Sequence, residues 1–246
     1  MKISIITANF NREKTLARTI ESVLNQTYDE IEYIIIDGKS TDSSIKIIED
    51  YKEKFLKKGY EYKYISEKDT GIYNAMNKGI KIATGDIIGI IGSDDWYEAN
   101  TLELVNKEFE KDKELKMVYG VLRTVKNNKF KKVMGDYESY GIGQHPTVFL
   151  KKELYDLYIY DESYKIAADT DLLLKLKKIK VKSKFIDKIL TNFTEEGISS
   201  TDLLNVKLED LKARYINGEI SKFKKNKKYI SLYFKYFKKK MIGGKE

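Results

Sequence analysis

Residues 85–97 read GDIIGIIGSDDWY. Isoleucines on both sides of Gly89 predict a strand covered on both faces, because an apolar run without alternation offers no face to water. The strand then runs into two adjacent aspartates and two aromatic residues. Carboxylates are costly inside a core, so this strand is expected to end at an edge where charge is useful.

Working outward, the same kind of run recurs upstream. KISIIT (2–7), EYIII (32–36) and YKYIS (62–66) each predict a short strand. Between the first two, Leu16, Ile20, Val23 and Leu24 fall at helical spacing with Thr15 as a cap. A second helix is expected after Ser40, Thr41 or Asp42, any of which serves as cap, and it stops at Gly59. IYNAMNKGIKIA (72–83) predicts a third. Strands alternating with helices in this way predict an α/β fold with a mainly parallel central sheet flanked by helices. Ligands of such sheets bind beyond the carboxyl ends of the strands. Asp37, Asp69 and the pair Asp94-Asp95 all lie at or just after those ends.

Less regularity follows. MVYGVLRTV and KFKKVMG flank KNN and predict a hairpin, and YGIGQHPTVFL (140–150) predicts a glycine-containing loop entering a strand. AADTDLLLKLKK (167–178) predicts a helix with Asp169 and Asp171 near its start. The simplest division is one domain over residues 1–205 and a helical, basic C-terminal extension over 206–246.

The 246 residues, 41% hydrophobic and 34% charged, describe a soluble globular protein with room for a full core. Without cysteine, disulfides and thiolate metal sites are excluded, and the chain suits a reducing cytoplasm. His145 is the sole histidine, which excludes a zinc site built from histidines. The first residues carry too short an apolar run for a signal peptide, and no run approaches the roughly 18 apolar residues of a spanning helix. Charge is unevenly placed. Residues 221–246 hold ten lysines and one glutamate, a net +9, which leaves −1 of the overall +8 for residues 1–220. A nucleic-acid reader carries its charge across a folded face, so no nucleic-acid partner is expected. In the tail Ile230, Tyr233, Phe234, Phe237 and Met241 share a helical stripe flanked by lysines. That pattern suits a helix lying on an anionic bilayer, and equally a terminal helix packed on the domain with a solvated lysine face.

Adjacent carboxylates on a loop suit a hard divalent cation that keeps positions open for water and a diphosphate. Such a cation neutralises a leaving group without proton transfer. The other reading of Asp94-Asp95 is a strand end that caps a helix beginning near Glu98.

SIITANFNR, IIIDGKSTDSS, EKDTGIYNAMNKGIKIATGDIIGIIGSDDWY and AADTDLLLKL, in this order, resemble inverting glycosyltransferases of family 2, which have the GT-A fold. The form GIYNAMNKG is similar to the branch that builds bacterial exopolysaccharide, capsule or lipopolysaccharide. The resemblance covers roughly residues 2–200. It implies a nucleotide-sugar donor, with UDP preferred, and Mn²⁺ or Mg²⁺ held at Asp94 with Asp95 beside it. It further implies donor contacts at Ala8, Phe10 (stacked on the base), Asp37 and Asp69, with Asp169 as the general base. The implied acceptor is a hydroxyl of a glycan or lipid-linked glycan precursor, and the implied location is cytoplasmic, peripheral at the inner face of the cell membrane.

Two positions depart from the family pattern. Gly92 stands where an acid commonly opens an Asp-x-Asp motif, and Gly38 stands where a second acid often ends the second strand. They keep a non-catalytic nucleotide-sugar or glycan-binding module as the alternative. From the residues alone, Asp169 also reads as a carboxylate favoured by a helix amino terminus, and Asp171 points to another face. His145 reads either as an acceptor contact or as structural, and Trp96 and Tyr97 as sugar-site lining or core.

Overall fold

The apolar runs become strands of a single sheet. The computed structural model describes residues 1–127, 129–134, 143–195 and 202–242. In its first half β1 (Ile3–Asn9), α1 (Leu16–Leu24), β2 (Ile31–Asp37), α2 (Ser44–Lys57), β3 (Glu61–Ser66), α3 (Ile72–Ile82) and β4 (Ile87–Gly92) alternate. The strands pair in parallel in the order β3-β2-β1-β4. Every residue of β1 and β2 is buried. Ile6, Ile34 and Ile36 pack with Met76 and Ile80 of α3 on one face, and Ile3, Ile5 and Ile35 pack with Leu16, Ile20 and Phe55 on the other. Burying one such side chain contributes about 1.5–3 kcal/mol, so helices on both faces follow from the lack of alternation. At Gly79 a Cβ would sit 2.4 Å from Ile6, so α3 approaches β1 closely only because that side chain is missing.

Thr15 occupies the N-cap position of α1 without making a side-chain cap. For α2 the N-cap is Ser43, one residue past the three expected candidates. Ser40 and Asp42 are occupied elsewhere: the Ser40 hydroxyl donates to Asp37, and Asp42 accepts from the N–H groups of Glu13 and Ser44. The stop at Gly59 stands, with φ +78° just past the helix.

At the amino end of the parallel strands the carboxylate of Glu32 is fully buried. It accepts from Ser4, Lys63 and both the N–H and hydroxyl of Thr84. Burial works to raise its pKa, but these hydrogen bonds together outweigh it and lower the value to about 2.

Past β4 come β5 (Trp96–Tyr97), α4 (Thr101–Lys111), β6 (Met117–Lys126), β7 (Lys129–Met134), a 3-10 turn at His145–Thr147, β8 (Phe149–Lys151), α5 (Glu153–Leu157), α6 (Ala168–Lys178), β9 (Ser183–Thr194), α7 (Leu203–Ile216) and α8 (Lys222–Ile242). The sheet continues β4-β8-β6-β9-β5, and β7 forms the expected hairpin with β6. Only β6 and β9 pair in parallel here, so the parallel arrangement belongs to the first half and the second half is mixed.

Helix α7 runs through the expected boundary at 205/206. Its Leu211 and Ala213 are buried, and its C-terminal Asn217 donates to Asp171 at 2.7 Å. Helix α8 leans on α7 through Tyr229, whose hydroxyl donates to the Leu208 carbonyl at 2.9 Å. Lys225, Tyr229 and Leu232 form its half-buried face, while Phe223, Ile230 and Phe234 are 80%, 67% and 76% exposed. The side chains of Phe237 and Met241 lie outside the described residues. Among the described residues no helix is long and apolar enough to cross a membrane.

Candidate active site

A cavity of about 1230 Å³ opens beyond the carboxyl ends of β1, β2 and β4. Its wall includes Ala8, Phe10, Asp69, Asp94, Asp95 and Asp169, so six of the seven expected site residues share one space. Asp37 does not line it. Its carboxylate is fully buried and accepts from Asn9 at 2.7 Å, from the Ser40 N–H and hydroxyl at 2.9 and 2.5 Å, and from Ser66 at 2.8 Å. Asp37 thus organises the turn after β2, and its neighbours Gly38 and Lys39 reach the wall in its place.

The turn Gly92–Asp95 is held by its carbonyls. Thr15 donates to Ser93, Arg18 to Asp94 and Thr19 to Asp95, all from one face of α1, and Thr194 of β9 also donates to the Asp94 carbonyl. The backbone is gripped through its carbonyls, and both aspartates line the cavity. A Cβ built on Gly92 would lie 3.0 Å from Asp95 Oδ2 and 3.1 Å from Asp94 Oδ1. Two carboxylate oxygens therefore converge on the small gap that this glycine leaves.

Asp95 is 3% exposed, and its Oδ1 accepts from the Thr194 N–H at 2.8 Å. Burial first, and the adjacent Asp94 charge second, push its pKa well up, against smaller opposing effects of Thr194 and Arg18. A divalent cation relieves this repulsion. Among the described residues no cluster of three or more His, Cys, Asp or Glu exists to hold a metal alone. Asp94 and Asp95 offer carboxylate oxygens of the kind a hard cation takes, with its remaining positions left to other ligands. Neither carboxylate caps α4, whose N-cap is Asn100.

Phe10 is 59% exposed on the cavity wall, a ring with a free face. Near it a Cβ on Gly38 would lie 2.6 Å from Asp69 Oδ2 and 3.3 Å from the Phe10 ring. Asp69 thus fills the space that a side chain at 38 would need. Its Oδ1 accepts from the Gly71 N–H at 3.0 Å. Arg12, Lys39, Lys68, Lys126 and Lys165 also line the cavity, a field suited to a polyanionic ligand.

Asp169, also on the cavity wall, sits in the first turn of α6. Its Oδ1 accepts from the Thr170 N–H at 2.8 Å and lies 3.2 Å from the Tyr73 hydroxyl oxygen. Burial and the Asp169 charge push the Tyr73 phenol up, so it stays protonated. Tyr73 stacks on Tyr160, whose hydroxyl lies 2.6 Å from His145 Nε2. Desolvation lowers the His145 pKa, opposed by Asp169, so the ring is neutral at pH 7. Asp171 is buried against Lys175 and Asn217 and stays out of the cavity. Tyr97 is core, packed on Phe149, while Trp96 carries the Arg18 guanidinium 3.7 Å from its ring centre.

Sequence reading did not pick out Arg18, Thr194 or Tyr73. The spacing Thr15, Arg18, Thr19 placed them on one helix face, which was the available signal; for Thr194, about 100 residues from its partner, there was none.

The model of Glycosyl transferase family 2 matches residues 4–164. The chain is 30% identical over 205 residues to chondroitin synthase of Escherichia coli, covering 79% of this chain and 29% of that protein. It is 26% identical over 213 residues to the amylovoran biosynthesis glycosyltransferase AmsB of Erwinia amylovora, covering 78% and 69%. The chain spans under a third of the chondroitin and hyaluronan synthases it matches. In structure it is similar to residues 1–349 of S. aureus TarS in complex with UDP-GlcNAc, with TM-score 0.70, 19% identity and 96% and 73% coverage. It is also similar to the mannosyltransferase PcManGT of Pyrobaculum calidifontis in complex with GDP-Man and Mn²⁺, with TM-score 0.71, 15% identity and 90% and 65% coverage. These likenesses agree on the GT-A fold, and with the family match they make this chain a member of glycosyl transferase family 2.

Proposed function

We propose that the chain is an inverting transferase that moves a sugar from a UDP-sugar to a hydroxyl of a glycan or lipid-linked glycan precursor, with Mn²⁺ or Mg²⁺. The observation that carries this reading is one cavity whose lining includes both the converging Asp94-Asp95 pair and Asp169. Asp94 and Asp95 would hold the cation, which when bound neutralises charge on the diphosphate. Phe10 offers its ring to the base, and Asp69 offers its carboxylate Oδ2 beside that ring. The basic residues of the wall balance the phosphates.

Asp169 takes the proton of the acceptor hydroxyl. The freed oxygen lone pair forms the new bond to the anomeric carbon on the face opposite the diphosphate. The bond from that carbon to the diphosphate oxygen breaks, UDP leaves with the electron pair, and the configuration inverts. Asp169 is held for this by the Thr170 N–H, with the Tyr73 hydroxyl 3.2 Å away, since position at hydrogen-bond reach outweighs bulk basicity.

A lipid-linked acceptor also supports a membrane location. Phe223, Ile230 and Phe234 are exposed on a lysine-rich helix, the chemistry of a segment lying on anionic lipid at the cytoplasmic face. To test the reaction, UDP release and product anomeric configuration would be followed with UDP-glucose, UDP-galactose and UDP-N-acetylglucosamine. Inversion in the wild type and loss of turnover in Asp169→Asn are expected; retention of configuration would refute the mechanism.

A further inference from the structure

The backbone that enters α6 is clamped from two sides. Glu209, on α7, accepts from three consecutive N–H groups: Lys165 at 3.1 Å, Ile166 at 2.8 Å and Ala167 at 3.1 Å. On the other side the Ile166 carbonyl accepts from the Tyr73 hydroxyl, the same group that lies 3.2 Å from Asp169 Oδ1. Ala167 is the N-cap of α6, and Asp169 is the second residue of that helix. Lys165 and Ile166 themselves line the cavity, as does Leu203, the first residue of α7.

We infer that Glu209 is a positioning residue for Asp169: it fixes the Lys165–Ala167 backbone and with it the height and angle at which α6 presents its first-turn carboxylate. The inference rests on the reading of Asp169 as the base. Three N–H donors converging on one carboxylate make charge-assisted bonds, stronger and more directional than bonds to water. A second tie points the same way. Asn217, at the other end of α7, donates to Asp171 two residues past the base. Helix α7 therefore holds the start of α6 at two points about two turns apart on itself. It does so from outside residues 4–164, the stretch that the family model matches. A chain segment that looks like an appendage is in this account part of the catalytic frame.

The effect falls chiefly on turnover, because Phe10, Asp69, Asp94 and Asp95 are carried by other elements and, of the five basic wall residues, the clamp holds Lys165 alone. A displacement of about 1 Å at a reacting group costs up to roughly 10²-fold in rate.

The test uses the full chain as wild type, Glu209→Ala, Glu209→Gln and Asp169→Asn. UDP release is measured with Mn²⁺ and whichever of the three UDP-sugars the wild type turns over. UDP affinity, melting temperature and amide hydrogen exchange over residues 163–170 are read alongside. Glu209→Ala is expected to lower kcat by ~10–100-fold with donor KM and UDP affinity within about twofold, and to speed exchange at 165–167. Glu209→Gln keeps one acceptor oxygen and is expected to recover part of kcat, to within ~3–10-fold of wild type. If Glu209→Ala does not fold, Glu209→Gln decides, with an expected fall of ~3–10-fold at unchanged KM. Unchanged exchange at 165–167, a kcat within twofold of wild type, or a loss of kcat matched by a loss of UDP affinity would each overturn the inference. Asp169→Asn separates the two claims. Full activity there sinks the base itself, whereas its loss together with an unaffected Glu209→Ala sinks only the role of Glu209.

Discussion

Glu32, near the amino end of β2, and Asp95, just past the carboxyl end of β4, are both buried carboxylates of the parallel half of the sheet. Glu32 is surrounded by Lys63, Ser4 and Thr84, and its pKa falls to about 2 although burial alone would raise it. Asp95 has one backbone donor and another carboxylate as neighbour, and its pKa rises. At one end of the strands the chain cancels its own charge. At the other, two adjacent carboxylates sit together on a cavity wall, and burial and the Asp94 charge outweigh Thr194 and Arg18 at Asp95. The contrast sets a carboxylate satisfied within the fold against one that the proposed function assigns to a cation.

The comparison is sharpened most strongly by the third carboxylate, Asp169, which is proposed to react and not to bind. Asp169→Asn is expected to lower turnover by ~10³-fold or more, about 4 kcal/mol in barrier. Stabilisation by UDP and Mn²⁺ in a melting experiment should survive that change; loss of both would mean that binding and reacting carboxylates are not separable.

Next in size come the two buried acids themselves. Glu32→Ala leaves Lys63 and Thr84 without their acceptor and is expected to destabilise by about 2–4 kcal/mol in urea unfolding. Asp95→Asn keeps an oxygen for the Thr194 N–H and removes a charge beside Asp94. Without cation it is expected to stabilise by about 1 kcal/mol. If both substitutions destabilise alike, the contrast between the two ends is wrong.

Their pH dependence has opposite sign. Glu32 has a folded pKa below its ordinary 4.5, so its contribution is present above 4.5 and is lost as pH falls towards about 2. Asp95 has a folded pKa above its ordinary 3.8, so the protein gives up stability as pH rises from 3.8 through the folded value. Melting curves of Glu32→Gln should therefore lose part of the acid limb between pH 4.5 and 2. Those of Asp95→Asn should lose the decline on the other side, without changing the acid limb.

The smallest effect concerns the base end of the cavity. In Gly38→Ala the new Cβ meets Asp69 Oδ2 at 2.6 Å, so the carboxylate must swing away from Phe10. UDP affinity measured by calorimetry is expected to weaken by ~3–10-fold, about 1 kcal/mol, with melting nearly unchanged.

How much of this was legible in the sequence depended on how local the cause was. β1, β2 and β4 are isoleucine-rich, buried almost throughout and bracketed by helices, so each could be read from its own residues. The pairing of β6 with β9 joins segments about 65 residues apart, and β5 has only two residues; neither carries a local periodicity. The carboxylates fared unequally for the same reason. Asp94, Asp69 and Asp169 line the cavity as their places at element ends suggested. Asp37 stands at a similar strand end but turns inward, because Asn9, Ser40 and Ser66 converge on it from three segments. Glu209 had no signal at all, since its partners lie more than 40 residues away and are backbone groups that any sequence possesses.

The most direct test of the contrast is thermal unfolding with UDP, Mn²⁺, both or neither, for wild type and Asp94→Ala. The account predicts a large upward shift for wild type only when UDP and Mn²⁺ are present together, about 2.7 kcal/mol at 100 times the dissociation constant. It predicts no such synergy in Asp94→Ala. Equal stabilisation of both proteins, or a wild-type shift with UDP that Mn²⁺ does not change, would contradict the proposal that Asp94 holds a cation.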